Sequence, residues 1–310
     1  MKNTSNIRFR SNRVRDILAL FHDELDALYG AAEVSVFGEM LFEAFLGWDK
    51  VRLLTSKEQT INQSDLLRFH WALEDLNHHR PIQHIIGHVD FCGCRINVSP
   101  DVLIPRPETE EMVKYIVGAY PSVRPQAKDV RGGTPLLDLC TGSGCISIAL
   151  KKAFPSAEVT AVDVSPAALE MAQQNAKNNG VEVHWVEGDV LRWNPSGVHG
   201  GTPLRYDLVV SNPPYVMEKE RAQMQRNVLD YDPALALFVP DDDPLRFYKA
   251  IADIAKEHLS DNGLLVVEIN EALAEETAML FRDRGLSPVI HDDFRGRHRW
   301  ISATFQNNIQ

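Results

Sequence analysis

Cysteine is scarce: Cys92, Cys94, Cys140 and Cys145 are all there is in 310 residues, with no C-x-x-C pair and no histidine nearby at zinc-ligand spacing. The expectation is reduced thiols and no metal site, the eleven histidines being scattered. Long apolar runs are lacking too. None approaches the roughly 18 residues that a membrane-spanning helix needs. Positive charge is in deficit: 32 Lys and Arg face 43 Asp and Glu, for a net charge of −11. This is the opposite of the footprint of a chain that holds a nucleic-acid backbone, although it leaves room for a local basic groove. The basic start "MKNTSNIRFRSNRVRD" has no apolar signal core, and Asp16, Asp23, Glu24 and Asp26 follow at once. It reads as a ragged end leading into the first helix of a cytoplasmic protein.

What is present is an ordinary globular composition, at a length that suits one large domain or one of about 200 residues plus a small one. From Arg13 to Tyr29, apolar residues fall at Val14, Ile17, Leu18, Phe21, Leu25 and Leu28, the spacing of an amphipathic helix. A second helical stretch carries Val36, Phe37, Met40, Leu41, Ala44 and Phe45. "TSKEQ" reads as the cap of a short helix, and "SDLLRFHWALEDLNH" as a further helix ending before Pro81. Between Val89 and Val98 the period changes to two, interrupted at Cys92-Gly93, which predicts a hairpin with a tight turn or bulge.

"IPRPETEEMVKYIVGAY" opens a helix at Pro107, with Glu108, Glu110 and Glu111 at its positive end and Met112, Val113, Ile116, Val117 and Tyr120 on one face. "PSVRPQAKDVRGG" reads as a linker loop. Beyond it strand-like and helix-like segments alternate to the end, which predicts a mostly parallel, doubly wound sheet.

Within that alternation, "LLDLCTGSGCIS" runs from a strand ending in Asp138 through Gly142 and Gly144 into a helix. Such a turn brings a nucleotide-like ligand against backbone N–H groups, although a Gly-x-Gly also serves as a plain strand-to-helix turn. Asp163 ends the next strand about 20 residues on, where an acid accepts from ribose hydroxyls. Its alternative role is a helix cap, for which Ser165-Pro166 is better placed. After the third strand, "EGD" places Asp189 at the same edge. Ser147 stands where a dinucleotide fingerprint has its third glycine, so an adenosine ligand without pyrophosphate, such as S-adenosylmethionine, fits better.

"SNPPY", residues 211–215, follows the fourth strand and projects from that same edge. An amide or aromatic amine nitrogen is a poor nucleophile because its lone pair is delocalised. Two acceptors, the Asn212 side-chain oxygen and the Pro213 carbonyl, can take its two hydrogens and turn the lone pair toward an electrophilic methyl. The prolines stiffen the acceptors' backbone, and Tyr215 can pack on a planar amide or base.

Together, "VLIPRPETEEMV", "DLCTGSGCISIAL", "VDVSPAALEMAQQNA" and "VVSNPPYV" resemble the protein-(glutamine-N5) methyltransferases that modify peptide chain release factors. The likeness extends over "RPIQHIIGHVDFCGCRINVSPDVLIPRPETE" and "DDFRGRHRWISATF", and so over most of the chain. The Asn-Pro-Pro-Tyr string is shared with adenine-N6 methyltransferases; joined to "IPRPETE" it is far more specific.

The resemblance implies an α/β, doubly wound, Rossmann-like methyltransferase sheet (105–310), preceded by a helical substrate-recognition domain (1–85) and a connecting hairpin (86–104). It further implies S-adenosylmethionine as cofactor, a release factor as partner, and methyl transfer to N5 of the glutamine in the Gly-Gly-Gln motif. No membrane or nucleic-acid partner is expected. Carried over by position, Cys140, Thr141, Gly142, Ser143, Gly144 and Asp163 bind the cofactor, Asp189 and Val190 border its adenine, and Asn212 touches it. Asn212, Pro213, Pro214 and Tyr215 bind the glutamine, with Asn212, Pro213 and Tyr215 catalytic. Adenine methylation, a ribosomal-protein glutamine, and a binding module without chemistry are the alternatives.

Two departures stand out. Cys140 replaces the usual first glycine, which is expected to be tolerable only with an ordinary negative φ, and its thiol is expected to be buried and inert. Asp232, in "YDPALALFVPDDDPL", introduces an acidic loop over 232–245 where relatives often have Glu-Pro and glycine. "FRGRHRW" reads as a solvated turn rather than a phosphate site. Arg106 and Glu110 either close over the site or pack the helix start.

Overall fold

The computed structural model describes residues 9–123, 134–192 and 205–305. The two chain ends, most of the expected linker and the loop expected after the third strand lie outside these. Two compact units emerge. One comprises the chain up to Gly87 together with Arg226–Tyr231; the other runs from His88 to Gln225 and from Asp232 onward.

In the first unit, α1 (Val14–Tyr29) buries Val14, Ile17, Phe21 and Leu25 along one stripe. Its partner α2 (Ala31–Leu46) stops at Gly47, whose left-handed φ of 66° suits glycine. The short helix α3 (Lys50–Thr55) lies before "TSKEQ" rather than after it, because Asp49 accepts the Arg52 N–H and starts it there. Asn62 caps α4 (Gln63–Asn77), and a further short helix, α5 (Ile82–Ile86), follows Pro81. Phe42, Phe69 and Trp48 pack at the centre of this unit. Tyr231, just beyond α9 (Arg226–Leu229), donates to the His78 carbonyl at 3.0 Å.

The second unit opens with the hairpin β1 (His88–Phe91) and β2 (Cys94–Asn97). Its two-residue turn places both Cys92 (φ 47°) and Gly93 (φ 72°) at positive φ, the requirement of a type I′ turn. Helix α6 (Pro107–Val123) then takes up the first three residues of the expected linker. The elements β3 (Pro135–Leu139), α7 (Cys145–Ala153), β4 (Glu158–Asp163), α8 (Pro166–Asn179), β5 (His184–Glu187) and β6 (Tyr206–Ser211) follow. After the short pair β7 (Val216–Met217) and β8 (Phe238–Val239), with α10 (Ala234–Leu237) before β8, come α11 (Arg246–His258), β9 (Leu259–Glu268), α12 (Ala274–Arg282), β10 (Leu286–Asp292) and β11 (His298–Phe305).

The seven-stranded sheet has the order β10-β11-β9-β6-β3-β4-β5; β11 pairs antiparallel with β10 and with β9, and the other pairings are parallel. Its central strands read as unbroken apolar runs because both faces are covered. Successive residues alternate faces. Leu137, Val209, Leu265 and Val267 pack with Tyr248, Ile251 and Phe281 of α11 and α12. Leu136, Leu208, Val210, Leu264 and Val266 pack with Met112, Ile116, Ile146 and Ile148 of α6 and α7. The strand order reverses between β3 and β6, and at such a switch point a ligand crevice opens beyond the strands' carboxyl ends.

Candidate active site

The loop after β3 is held from beneath by Asp138, whose Oδ2 accepts from Thr141 Oγ1 at 2.6 Å and Ser147 Oγ at 2.5 Å. Loop and helix α7 are thereby fastened to one buried carboxyl group. Burial pushes its pKa up to about 6, against the pull of those two hydroxyls. Ser147, fully buried, is thus spent on this internal bond.

Cys140 has a φ of 60°, contrary to the negative value expected from its replacing a glycine. The backbone keeps the glycine-like conformation because the two residues that follow are tied down: Thr141 N–H donates to the Val162 carbonyl, and Gly142 N–H to Asp163 Oδ2 at 2.8 Å. Cys140 is half-buried and borders the ligand crevice rather than buried as expected; desolvation, then Asp163 and Asp138, push its thiol well up, which favours the protonated form. The two glycines differ in purpose. A Cβ on Gly142 meets nothing within 4 Å, whereas one on Gly144 runs into Trp185 at 2.9 Å and Ala172 at 3.0 Å. Gly144 therefore serves packing, and Gly142 faces open space.

That space is a cavity of about 470 Å³ bordered by Cys140, Thr141, Gly142, Ser143, Asp163, Asp189, Val190, Asn212 and Pro214. Gly144, Pro213 and Tyr215 are not in its wall. Asp163 accepts the Gly142 and Ser165 N–H groups on separate oxygens, and each oxygen retains a lone pair for a hydroxyl. Ser165, not Asp163, caps α8. Among the described residues in the wall, Arg246 is the single cation against Asp101, Asp163 and Asp189. Such a wall suits a cationic sulfonium nucleoside and disfavours a pyrophosphate. The chemistry of the donors therefore fits S-adenosylmethionine.

Asn212 follows β6 directly, and its neighbour Ser211 ties β6 to β3 through the Leu139 carbonyl at 2.7 Å. Asn212 Nδ2 donates to Thr109 Oγ1 at 3.1 Å, and Thr109 Oγ1 donates to Glu268 Oε2 at 2.6 Å. Tyr215 OH donates to the other Glu268 oxygen at 2.9 Å. Asn270 then braces the end of the motif, donating to the Tyr215 carbonyl at 3.1 Å and to Glu220 Oε2 at 2.9 Å. Burial raises the Glu268 pKa, opposed by Thr109, Tyr215 and Arg299. Burial and the adjoining Glu268 charge push the Tyr215 phenol well up.

Arg106 pairs with Asp232, a carboxylate only 6% exposed, while Glu110 pairs with Lys114 at 2.8 Å. The two "IPRPETE" residues thus serve different partners. Beyond Asp232, Pro233, Leu235, Ala236 and Phe238 line the cavity. In "FRGRHRW", the Asp293 carboxylate accepts from the Arg295 and Arg297 N–H groups and pairs with Arg299, making an exposed turn between β10 and β11. No cluster of His, Cys, Asp or Glu able to hold a metal ion occurs among the described residues, nor a helix long and apolar enough to cross a membrane.

Thr109, Glu268 and Asn270 did not emerge from sequence reasoning, and Asp138 emerged only as the end of its strand, not as the acceptor that holds the loop. The available signal was the acid that closes the apolar run "GLLVVE": a carboxylate ending a strand covered on both faces is costly unless it has a task.

The family described as "Methyltransferase small domain" matches residues 127–231, and that described as "PrmC N-terminal domain" matches residues 16–87. The release factor glutamine methyltransferase of Flavobacterium psychrophilum is 36% identical over 294 residues, covering 94% of this chain and 99% of its own length. That of Bacteroides thetaiotaomicron is 37% identical over 288 residues, covering 93% and 98%, respectively. The Koribacter versatilis protein of the same name is 37% identical over 263 residues, covering 85% and 88%.

Proposed function

The chain belongs to the release factor glutamine methyltransferases, S-adenosylmethionine-dependent enzymes that methylate protein glutamine, and on that premise we propose that it methylates N5 of the glutamine in the Gly-Gly-Gln motif of peptide chain release factors. The observation that carries the reading is Asn212 in the cavity wall at the carboxyl end of β6, beside the glycine turn of β3.

The residues from Cys140 to Gly144 shape the cofactor turn, Asp163 accepts from the ribose hydroxyls, and Asp189 and Val190 border the adenine. S-adenosylmethionine supplies an electrophilic methyl on its sulfonium. The work left to the chain is orientation. Asn212 Oδ1 and the Pro213 carbonyl accept the two hydrogens of the glutamine amide and hold its lone pair in line with the methyl. Pro214 keeps the acceptors rigid, and Tyr215, outside the cavity wall itself, anchors the segment through its hydroxyl on Glu268 and borders the amide only where the glutamine enters. No general base is required for the attack, and the excess proton of the methylated amide passes to water. The helical domain grips the release factor outside the motif.

The test is peptide mapping by mass spectrometry after incubation of enzyme, S-adenosylmethionine and release factor. One methyl on the Gly-Gly-Gln glutamine is expected, and a methyl on any other residue refutes the assignment. Asn212→Ala is expected to bind S-adenosylmethionine normally and to lose at least about a hundredfold in kcat. Near-normal turnover of that variant would show that Asn212 does not orient the amide.

A further inference from the structure

We propose that Thr109 and Glu268 are positioning residues that set which end of the Asn212 amide faces the substrate. This rests on the reading of Asn212 as an acceptor for the glutamine amide. An asparagine amide is nearly symmetric in shape and opposite in chemistry at its two ends: turned one way it offers an acceptor, turned the other two donors. A flipped Asn212 meets the substrate NH2 with its own NH2 and orients nothing.

The hydrogens in the chain of bonds fix the choice. A carboxylate only accepts, and Glu268, 2% exposed, accepts on both oxygens, from Tyr215 OH at 2.9 Å and Thr109 Oγ1 at 2.6 Å. The single hydroxyl hydrogen of Thr109 is thereby used. Its oxygen can then only accept from Asn212, so Nδ2 turns toward Thr109, at 3.1 Å, and Oδ1 toward the opposite side. Three elements separated by 103 and 159 residues meet to make this relay: Thr109 on α6, Asn212 after β6 and Glu268 at the end of β9. Thr109 and Asn212 both border the cavity.

The relay has two self-consistent polarities, and the charge on Glu268 selects between them. Ionised, it draws hydrogens from Asn212 through Thr109. Protonated, it donates to Thr109, whose hydrogen then turns to Asn212 Oδ1 and leaves the amide NH2 facing the substrate. The groups that act on Glu268 are Thr109 and Glu108 from α6, Tyr215 from the Asn-Pro-Pro-Tyr segment, Tyr248 from α11 and Arg299 from β11. Arg299 and the two hydroxyl donors favour the ionised form; burial and Glu108 oppose it.

The experiment compares Thr109→Val, Thr109→Ser and Asn212→Ala, singly and as Thr109→Val with Asn212→Ala, in methyl transfer to a release factor. Affinity for S-adenosylmethionine and the thermal midpoint are measured alongside. Thr109→Val keeps the shape and removes the hydroxyl; kcat is expected to fall about ten- to a hundredfold with KM and cofactor affinity within about threefold of wild type. Thr109→Ser is expected to restore most of kcat. In the Asn212→Ala background Thr109→Val is expected to cost nothing further, because its effect passes through Asn212.

Unchanged kcat in Thr109→Val, or an undiminished loss in the Asn212→Ala background, overturns the relay while leaving Asn212 in place. Near-normal turnover of Asn212→Ala overturns the underlying reading instead. If Thr109→Val does not fold, Glu268→Gln carries the contrast: its amide lets the relay run either way. The expected result there is a kcat loss of about tenfold and an acid limb of the rate missing from the pH profile; wild-type kcat and profile overturn the proposal.

Discussion

At Cys140 the backbone adopts a conformation that costs an L-residue roughly 1–2 kcal/mol, whereas glycine adopts it freely at an entropic cost of about 0.5–1 kcal/mol. Cys140→Gly is therefore expected to raise stability by about 0.5–1 kcal/mol and the thermal midpoint by a few degrees at most. A fall in the midpoint would mean that the packing of the side chain against the sheet core outweighs the backbone strain. Asp138 gives a pH prediction. Its folded-state pKa is raised from 3.8 to about 6 by burial, so the native state holds its proton more tightly than the unfolded chain. The contribution is fully present below the unfolded value, is lost as pH rises through the folded value, and amounts to about 3 kcal/mol. Urea unfolding of wild type against Asp138→Asn tests this. The stability difference should fall between about pH 4 and about pH 6 and stay flat above; a difference that grows with pH contradicts it.

Between elements, one side chain joins three of them. Asn175 of α8, fully buried, accepts the Asn97 N–H at 2.8 Å and donates to the Asn97 and Ser143 carbonyls, each at 3.0 Å. Hairpin, α8 and the glycine turn after β3 are thereby pinned together. Asn175→Ala leaves three backbone groups without these bonds and is expected to cost about 3 kcal/mol in urea unfolding, against under about 1 kcal/mol for Asn179→Ala nearer the surface. Equal effects would show that the stitch is unimportant. Elements were legible where their signals were local: the stripe of α1, the Cys92-Gly93 turn, the Glu-rich start of α6 and the glycine turn all rest on spacing within a few residues. "TSKEQ" misled because a Thr-Ser pair followed by acid mimics a cap, while Asp49, just past the left-handed Gly47, held the stronger position. The Arg106–Asp232 pair and the Thr109–Glu268 bond were not legible. Their partners lie 126 and 159 residues apart, and nothing in either neighbourhood names the other. Likewise, the negative φ expected of Cys140 followed from its residue type, whereas neighbouring hydrogen bonds decide the turn.

At the scale of the whole molecule, the chain makes two excursions into its helical unit, at the start and again with Arg226–Tyr231, which composition gave no reason to expect. A net charge of −11 and a cavity wall with more acids than bases both favour a protein substrate over a polyanion. The most direct measurement is transfer of labelled methyl from S-adenosylmethionine to three substrates: a purified release factor, the same factor with its Gly-Gly-Gln glutamine changed to alanine, and a nucleic-acid control. Label in the intact factor alone is the predicted result. Label in the nucleic acid, or equal label in both forms of the factor, would contradict the account.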